Sequence, residues 1–563
     1  MGGTTERQSD KATKGQANPR SKLVQGAMLL GLAAVISKLL GTLQKIPLQN
    51  VAGDAVFGIY NAVYPLYILI LFAATAGFPV AVSKFVAEQV RLGAHREARR
   101  IAYVSGVVLM CAGALLFLAL YFGAEQIAAW IGIERTASAI RSVSFALLVS
   151  PVLAVLRGYF QGYQNMLPTA VSQVAEQFIR VITMVALLLY MTALAYDDAR
   201  IAAGATFGSV TGAAAGLAVM AVFWRRAMRE GQEPGGPAQQ EQERKGQSSP
   251  AAHTSAWQWA KRIALYAIPV CLGAIVVPLL NLVDTFTLPR LLEASLGSEG
   301  EAMRAYGLYN RGLPLVQLVV MVASSMSAAL VPAIAEAKVS GRDDRVRSRA
   351  EMAVRVAWLV GLGASFGLAF AAVPINIMLY RTEEASWTMA VLAFTALFST
   401  LNAVSASVLQ GVGALRTPTL ALLVAIALKA LGNVLLLPRW GIDGAALSAV
   451  VAYAAAAGLN LVQLRRCTGV RFALRPYAIS PALGVGLMGG CLAALQLLAM
   501  PAAAAWHVPL RWSASAIALI SVAGGAAVYG LALLRSGSVS RAELQETPEL
   551  ARKLAPLLNK LKR

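Results

Sequence analysis

Long apolar segments recur along the whole chain, and short polar segments separate them. Each apolar segment holds about 20 residues, the length that a helix needs to cross a hydrocarbon core about 30 Å thick. The alternation of apolar and polar positions over ~10 residues that is typical of an outer-membrane barrel is absent from the sequence. The pattern therefore predicts an all-α, polytopic membrane protein. Fourteen spans are expected, near 23–46, 61–89, 101–122, 137–160, 168–192, 200–224, 261–288, 308–336, 350–372, 386–410, 418–437, 442–464, 478–499 and 511–534.

The polar segments alternate in charge along the chain. Basic segments, such as RLGAHREARR and KVSGRDDRVRSR, are predicted on one side of the membrane, and acidic or mixed ones, such as YDDAR and RTEEAS, on the other. Lysine and arginine are retained on the cytoplasmic side of a membrane. The alternation therefore predicts fourteen helices with both termini in the cytoplasm.

Composition agrees with a membrane location. The chain is 57% hydrophobic and 14% charged, whereas soluble domains contain roughly 25% charged residues. The net charge of +21 would suggest nucleic acid as the partner of a soluble protein. Here the basic residues lie in loops and tails, where the topology rule and anionic lipid account for them. The four cysteines form no CxxC pair and the three histidines lie apart, so neither a disulfide framework nor a metal site is expected.

Polar stretches divide the chain into six regions. The longest insert, GQEPGGPAQQEQERKGQSSP, has the glycine, proline and glutamine content of a flexible linker and follows the sixth span. The predicted regions are a disordered cytoplasmic tail at 1–22, a six-helix lobe at 23–224, a flexible cytoplasmic linker at 225–260, a second six-helix lobe at 261–464, two further transmembrane helices at 465–534 and a basic amphipathic tail at 535–563.

The two predicted lobes contain an internal repeat. Three pairs share an offset of 249 residues (306 − 57): FGIYNAVYPL at 57–66 with YGLYNRGLPL at 306–315, the QG dipeptide at 161–162 with that at 410–411, and Arg180 with Lys429. Because six helices separate equivalent positions, the two halves have the same orientation in the membrane. We expect an axis along the membrane normal to relate them, as in alternating-access transporters.

Charged side chains occur inside several predicted spans. At a rise of 1.5 Å per residue, Lys38, Arg180 and Lys429 lie near the middle of the bilayer. A charge there costs at least about 2.5–3.5 kcal/mol on insertion scales, so each should face a cavity or a partner. Glu176 precedes Arg180 by four residues, on the same helix face, where the two are able to pair. This pair would either hold helices together or orient Arg180 for a ligand.

The stretch RGYFQGYQNMLP at 157–168 is polar in apolar surroundings. Arg157, Gln161 and Gln164 offer hydrogen-bonding groups that would line a cleft. Arg157 would alternatively extend to the membrane surface, as long basic side chains near the ends of spans do.

These segments resemble the MOP exporter superfamily and, within it, the MurJ/SpoVB branch. The stretch RGYFQGYQNMLPTAVSQVAEQFIRV, the paired segments YNAVYPL and YNRGLPL and the two-lobe layout carry the resemblance, which covers the chain after about residue 22. Ser37 and Lys38 match the Ser-Arg pair of the first helix in that branch, and Arg311 matches a basic residue shortly before Leu-Pro in the eighth. The second helix, YNAVYPLYILILF, lacks arginines that many members of the branch carry.

The resemblance implies a flippase for undecaprenyl-linked cell-wall precursors, lipid II above all, in a bacterial cytoplasmic membrane. Such a substrate carries two or more negative charges and a bulky polar head. Another lipid-linked polysaccharide and a sporulation-specific role stay open, and the cell-wall synthesis machinery is an expected partner. We expect a cationic cleft between the lobes, with Glu176 and Asp284 as supporting ion pairs or coupling groups. Its substrate-binding residues would be Lys38, Arg157, Gln161, Gln164, Arg180, Arg311 and Lys429.

No sequence motif indicates an enzyme. GxxxxGK[ST] and HExxH do not occur, and the GxSxG match at 363–367 lies inside an apolar span, so no cofactor is expected. Transport would draw on an ion gradient, the membrane potential or consumption of the product. Asp284 would then bind a coupling cation or pair with Arg311.

Two other classes of function compete with a flippase. A cation-coupled multidrug exporter of the same superfamily would use buried carboxylates, but the first helix has Lys38 and Lys45, which disfavour a cationic substrate. A membrane scaffold or a glycosyltransferase-like enzyme is the third class. The enzyme would need acidic groups in a sizeable outer loop, and the outer loops are short.

Overall fold

The computed structural model describes residues 19–229, 254–470, 475–505 and 509–536. Regular structure in these ranges consists of α-helices and one π-helical turn at Arg475–Ile479, without a strand. The α-helices are α1 (Pro19–Leu43), α2 (Lys45–Thr75), α3 (Phe78–Arg91), α4 (His95–Phe122), α5 (Ala124–Ile131), α6 (Thr136–Ser144), α7 (Ala146–Gly162), α8 (Leu167–Ala193), α9 (Asp198–Arg229), α10 (Ala256–Leu296), α11 (Glu299–Asn310), α12 (Leu313–Val339), α13 (Asp343–Phe370), α14 (Ala372–Tyr380), α15 (Ser386–Gly411), α16 (Arg416–Thr468), α17 (Ser480–Ala505) and α18 (Leu510–Arg535).

Eleven helical stretches of the described chain are long and apolar enough to cross a membrane. Two of them, Met28–Arg91 with 64 residues and Arg416–Thr468 with 53, exceed the roughly 17–25 residues of a single crossing. Large apolar side chains such as Leu115 and Phe122 of α4 are exposed on the helix surface, as contact with lipid requires. The prediction of an all-α, multi-pass membrane protein is confirmed, and the number of fourteen spans stays a prediction.

Helices extend into segments that the sequence assigns to a tail and a linker. α1 begins inside the predicted tail, at Pro19, where the fixed φ of proline suits the first helical position. α9 and α10 both continue into the predicted linker. The rest of the tails and the linker, 1–18, 230–253 and 537–563, lies outside the described residues. The predicted region boundaries stay predictions.

The turn that follows α7 is repeated after α15. Gln164 has a φ of +58° and Gly413 a φ of +88°, and the two residues are 249 positions apart (413 − 164). The backbone N–H of Gln164 donates to the carbonyl oxygen of Gln161 over 2.9 Å, and that of Gly413 to the carbonyl oxygen of Gln410 over 3.0 Å. Left-handed residues of this kind commonly end helices. The internal repeat of the sequence is therefore also a repeat of local backbone structure.

The chain divides into two compact units. Unit 1 contains residues 63–128 and 134–275 together with the chain up to Gln44. Its core is an apolar cluster from α3, α4, α7 and the first turns of α10, which includes Val82, Ile101, Tyr159 and Ile263. The start of α10 therefore packs with the helices of the first half of the chain.

A row of glycines brings α9 close to α8 in unit 1. A Cβ atom added to Gly208 would lie 2.7 Å from the carbonyl oxygen of Arg180, and one added to Gly212 would lie 2.6 Å from that of Glu176. Small residues at this spacing permit close approach of two helix backbones. The glycines therefore allow the backbone of α9 to lie against that of α8 at Glu176 and Arg180.

Unit 2 contains residues 45–62 and 129–133 together with the chain from Val276 onward. One of its apolar clusters joins α12, α13, α15 and α16 and includes Val354 and Leu401. Another joins α13 to the last two helices. The first part of α2 thus packs with the second half of the chain.

Two equivalent segments of the repeat contact each other inside unit 2. A Cβ atom added to Gly58 would lie 2.1 Å from the carbonyl oxygen of Met303, and one added to Gly307 would lie 2.0 Å from that of Asp54. The offset is 249 residues for both pairs (307 − 58 and 303 − 54), so each contact is the repeat equivalent of the other. α2 and α11 therefore cross backbone to backbone through a reciprocal glycine contact.

Candidate functional site

The polar stretch 157–168 forms the end of α7, a tight turn and the start of α8. Gly158 and Gly162 lie against α3, where added Cβ atoms would come within 2.8 and 2.6 Å of its atoms. Gln161 is half-buried in the last turn of α7, and Gln164 is exposed in the left-handed turn. The stretch is polar in part because it joins two helices, and it also supplies one member of an ionic cluster.

Arg157 and Arg180 share the carboxylate of Glu176 within unit 1. Arg157 Nη2 lies 2.8 Å from Glu176 Oε2, and Arg180 Nη2 lies 2.8 Å from Glu176 Oε1. Arg157 Nε also donates to Ser172 Oγ over 2.8 Å, and Arg180 Nη1 donates to the Tyr64 hydroxyl over 3.3 Å. One carboxylate thus orients two guanidinium groups, which come from α7 and α8. We call Arg157, Glu176 and Arg180 the arginine cluster.

The arginine cluster carries excess positive charge. Two guanidinium groups and one carboxylate leave a net charge of +1 (2 − 1). The side chains of Arg157, Glu176 and Arg180 are 19%, 18% and 10% exposed, so they are largely withdrawn from solvent and still reachable. Because positive charge is costly inside a membrane, this arrangement favours an anionic ligand.

Lys38 lies on α1, which packs against α8 in the same unit. The hydroxyl of the preceding residue, Ser37, donates to the carbonyl oxygen of Gln173 over 3.3 Å. Lys38 itself is exposed, so it flanks the contact between the two helices. The three cations therefore lie on three helices of unit 1: Lys38 on α1, Arg157 on α7 and Arg180 on α8. Both α1 and α7 contact α8.

In unit 2, Lys429 pairs with Asp284. Lys429 Nζ lies 2.7 Å from Asp284 Oδ2, and Tyr309 Oη and Asn433 Nδ2 donate to the same carboxylate over 3.0 and 3.3 Å. The side chains of Lys429 and Asp284 are only 4% and 6% exposed. We call these four residues the lysine cluster. Its net charge is zero, so Lys429 already has its charge matched.

Arg311 is bound to Asp54, also within unit 2. Arg311 Nε lies 2.9 Å from Asp54 Oδ1 and Nη2 lies 2.5 Å from Oδ2, which is the bidentate geometry of strong arginine–carboxylate pairs. Arg311 Nη1 also donates to the carbonyl oxygen of Glu384 over 3.3 Å, and the side chain is 2% exposed. The expected pair of Asp284 and Arg311 does not form, because Lys429 binds the former and Asp54 the latter.

Tyr380 contacts Arg311 through both its ring and its hydroxyl group. The guanidinium carbon lies 5.3 Å from the centre of the Tyr380 ring, and the Tyr380 hydroxyl donates to the carbonyl oxygen of Arg311 over 3.1 Å. Burial raises the pKa of Tyr380, so its hydroxyl keeps the proton that it donates. Arg311 is therefore fixed both through its side chain and through its backbone.

Asp54 is a residue that the sequence analysis missed. The predicted spans end at 46 and resume at 61, which places Asp54 in a loop. In the structure α2 runs from Lys45 to Thr75 through a kink at Gly53, whose φ and ψ are 81° and 179°. An acid directly after a glycine, between two apolar runs, is the signal that could have identified it.

Arg180 and Lys429 occupy equivalent positions of α8 and α16. Each follows the left-handed residue of the preceding turn by 16 positions (180 − 164 and 429 − 413). Their partners differ, since Glu176 belongs to the same helix as Arg180, whereas Asp284 comes from α10. The same position of the repeat thus belongs to a positive cluster in unit 1 and to a neutral one in unit 2.

Among the described residues, no group of three or more His, Cys, Asp or Glu side chains could hold a metal ion. The four cysteines, all within those residues, are free.

Sequence comparisons show that the chain is similar to membrane proteins that include a flippase. The family model "Polysaccharide biosynthesis protein" matches residues 23–338, more than half of the chain, and the MatE model matches residues 269–435. In Bacillus subtilis (strain 168), the uncharacterized membrane protein YabM is 34% identical over 526 residues, which are 93% of this chain and 94% of YabM. The lipid II flippase MurJ is 28% identical over 80% of this chain and 84% of its own, and stage V sporulation protein B is 26% identical over 95% and 99%.

Solved structures show the same fold at low sequence identity. A lipid II flippase MurJ in an inward closed conformation matches with a TM-score of 0.63 and 13% identity, over 90% of this chain and 98% of its own. An inward-facing multidrug resistance transporter of the MATE family, from the MOP superfamily, matches with a TM-score of 0.59 and 13% identity, over 77% and 94%. These proteins are named as a flippase and a transporter, and neither name is that of an enzyme.

Proposed function

We propose that this chain flips a lipid-linked sugar precursor across the cytoplasmic membrane. The chain belongs to the polysaccharide biosynthesis protein family and is a MurJ/SpoVB-like member of the MOP exporter superfamily. It is a multi-pass membrane protein and a transporter rather than an enzyme. The proposed substrate is an undecaprenyl-type lipid joined to its sugar head by pyrophosphate. Lipid II is the first candidate, because the relative MurJ is named for it.

The observation that carries this proposal is the excess positive charge of the arginine cluster. A pyrophosphate brings two or more negative charges, and arginine binds such oxygens bidentately, whereas lysine acts as a point charge. Glu176 matches one of the two guanidinium charges and keeps both groups oriented. On binding, the pyrophosphate would supply the negative charge that the cluster lacks.

Three further residues of unit 1 complete the proposed site. Lys38 would add a third cation from α1. Gln161 and Gln164, at the end of α7 and in the turn after it, would donate to the sugar. Arg311 and Lys429 are left out of this site, because Asp54 and Asp284 match their charges.

The direction of transport follows from the charge of the substrate. The inside of a bacterial cytoplasmic membrane is electrically negative, and moving one elementary charge across it is worth about 2.3 kcal/mol per 100 mV. An anionic head group is therefore driven outward by the membrane potential. With the basic loops and both termini in the cytoplasm, the arginine cluster would collect the head group from the inner leaflet.

A drug exporter is the second candidate, because the MatE model matches residues 269–435 and MATE transporters share the fold. Such a protein would have to attract cationic drugs. The arginine cluster would repel them, since like charges in a low-dielectric site interact strongly. The lysine cluster, with its carboxylate already neutralised, would not attract them.

The experiment is a flipping assay with purified protein in liposomes that contain a fluorescent undecaprenyl pyrophosphate sugar. We expect the wild type to expose the lipid to an external quencher. Arg157→Ala and Arg180→Ala should slow flipping about 10- to 100-fold, since a hydrogen bond to a charged group is worth about 1.5–3 kcal/mol. Arg180→Lys should also be impaired, because lysine cannot bind bidentately. Arg141→Ala, which removes an exposed ion pair, is the matched control.

Two outcomes would reject the proposal. One is a wild-type protein that does not expose the pyrophosphate lipid; a wild-type rate for the Arg157→Ala/Arg180→Ala double variant would reject the arginine cluster as the site. The other is faster transport of a cationic dye than of the pyrophosphate lipid in the same liposomes. Competition with unlabelled lipid II, a teichoic-acid precursor and a capsular precursor would identify the head group.

A further inference from the structure

The lysine cluster contains more oxygen atoms than its single ammonium group uses. Lys429 Nζ donates to Asp284 Oδ2 over 2.7 Å and to the carbonyl oxygen of Leu280 over 3.2 Å. Asn433 Nδ2 donates to Asp284 Oδ1 and, over 2.8 Å, to Thr287 Oγ1. The other amide atom, Asn433 Oδ1, is buried without a hydrogen-bond partner in the described structure. Carboxylate, carbonyl, hydroxyl and amide oxygens are the ligands that hard cations prefer.

Asp284 cannot stay ionised in this place without a matching charge. It is 4% exposed as a whole residue, and a buried carboxylate must be paired or protonated. The titratable groups that face it are Lys429 and Tyr453 on α16 and Tyr306 and Tyr309 on α11. A tyrosine side chain carries no positive charge, so Lys429 supplies it.

We propose that Lys429 is a built-in counter-cation, whose ammonium group takes the place that a coupling cation would take beside Asp284. The amine is attached to the chain and cannot leave, so the second half of the protein has no step in which Na⁺, K⁺ or a proton is bound and released at Asp284. Lys429 is then a positioning residue and not a substrate ligand, although it is the repeat equivalent of Arg180. Removing the amine should convert the oxygen atoms of the lysine cluster into a site for a monovalent cation or a proton.

The test compares four forms of the purified full-length chain: wild type, Lys429→Met, Asp284→Asn and the Asp284→Asn/Lys429→Met double variant. Thermal unfolding is measured with NaCl, LiCl or choline chloride at one ionic strength, and at several pH values. This readout needs no transported lipid, so its failure is distinct from failure of the proposed function.

We expect the melting temperatures of the wild type and the double variant to be the same in sodium and in choline. Lys429→Met should melt at a lower temperature in choline and recover in sodium or at low pH. Sodium at a hundred times its Kd would shift the folded-to-unfolded ratio of Lys429→Met about 100-fold. Asp284→Asn should be destabilised without any response to sodium, since it leaves the ammonium group unmatched.

Two results would overturn the inference. The first is a sodium-dependent stability of the wild type that Asp284→Asn abolishes, because Asp284 would then bind a cation despite Lys429. The second is a Lys429→Met variant that responds to neither cations nor protons. If Lys429→Met does not fold, the comparison of the wild type with Asp284→Asn in sodium and in choline still decides whether Asp284 binds a cation.

Discussion

At the scale of single residues, the buried cations of this protein are matched in different ways. Arg157 and Arg180 share one carboxylate, Lys429 has a carboxylate to itself within a neutral cluster, and Arg311 forms a bidentate pair. Replacing a well-matched pair by apolar groups is often neutral, whereas removing one partner is costly. The excess charge of the arginine cluster is therefore the feature that calls for a ligand.

Glu176→Gln should destabilise the protein, because it removes the carboxylate charge that both guanidinium groups bind. We expect a loss on the order of 3 kcal/mol, as for breaking a buried pair, seen as a lower melting temperature of the purified protein. The control is Glu125→Gln, whose partner is Arg141 and whose side chain is 78% exposed; exposed pairs contribute about 0–1 kcal/mol. Equal effects of the two substitutions would contradict the expectation.

Arg311 and Asp54 should show strong energetic coupling in a double-mutant cycle. Arg311→Met and Asp54→Asn each leave one buried charge unmatched, whereas the double variant leaves none. We expect the double variant to be more stable than the sum of the two losses implies, by about 1–3 kcal/mol. Additive losses in thermal unfolding would show that the bidentate pair carries no coupling. Arg304 and Glu384, an exposed pair, provide the comparison cycle.

At the scale of elements, glycines permit close contact between particular pairs of helices. Gly208 and Gly212 allow α9 to reach the backbone of α8, and Gly58 and Gly307 allow α2 and α11 to cross. In both places a carbonyl oxygen occupies the position where a side chain would begin. These contacts hold the helices that carry Glu176, Arg180 and Asp54.

Gly307→Ala should destabilise the crossing of α2 and α11. The new methyl group would lie 2.0 Å from the carbonyl oxygen of Asp54, so one helix backbone must move, at a cost of about 1–3 kcal/mol. The control is Gly106→Ala in the interior of α4, where no atom lies within 4 Å of the added Cβ and alanine is the better helix former. Gly58→Ala should behave like Gly307→Ala. A melting temperature for Gly307→Ala at or above that of Gly106→Ala would show that the crossing is not tight.

At the scale of the whole molecule, one helical plan is used twice with different charges. α4 and α13 both contain 28 residues, and the turns after α7 and α15 have the same backbone form. The partner of the equivalent cation nevertheless differs between the two halves. A repeat therefore preserves the helices while the chemistry of equivalent positions diverges.

The orientation of the chain in the membrane is open to direct test. The test uses a variant without its four cysteines. In it, Arg96→Cys and Asp344→Cys report on the basic loops, and Glu134→Cys and Glu383→Cys report on acidic or mixed segments that are predicted on the other side of the membrane. All four positions are exposed. We expect an impermeant maleimide to label the last two in intact cells and the first two only after permeabilisation, because basic loops stay in the cytoplasm. Labelling of position 96 from outside would show that the orientation is the reverse of the predicted one.

The sequence by itself determined the membrane class, the helical repeat and, with Asp54 as an exception, the charged residues that lie within apolar spans. Run length, helical spacing and a constant offset are local properties, so they can be read without a fold. The spacing of Glu176 and Arg180 also indicated their pair, but only the tertiary structure decided the partners that lie far apart in sequence. Arg311 reaches Asp54 across 257 positions and Lys429 reaches Asp284 across 145. Such pairs depend on which helices pack together, and that packing joins segments far apart in sequence. The same cation position is consequently positive in one half and neutral in the other, which no local pattern encodes.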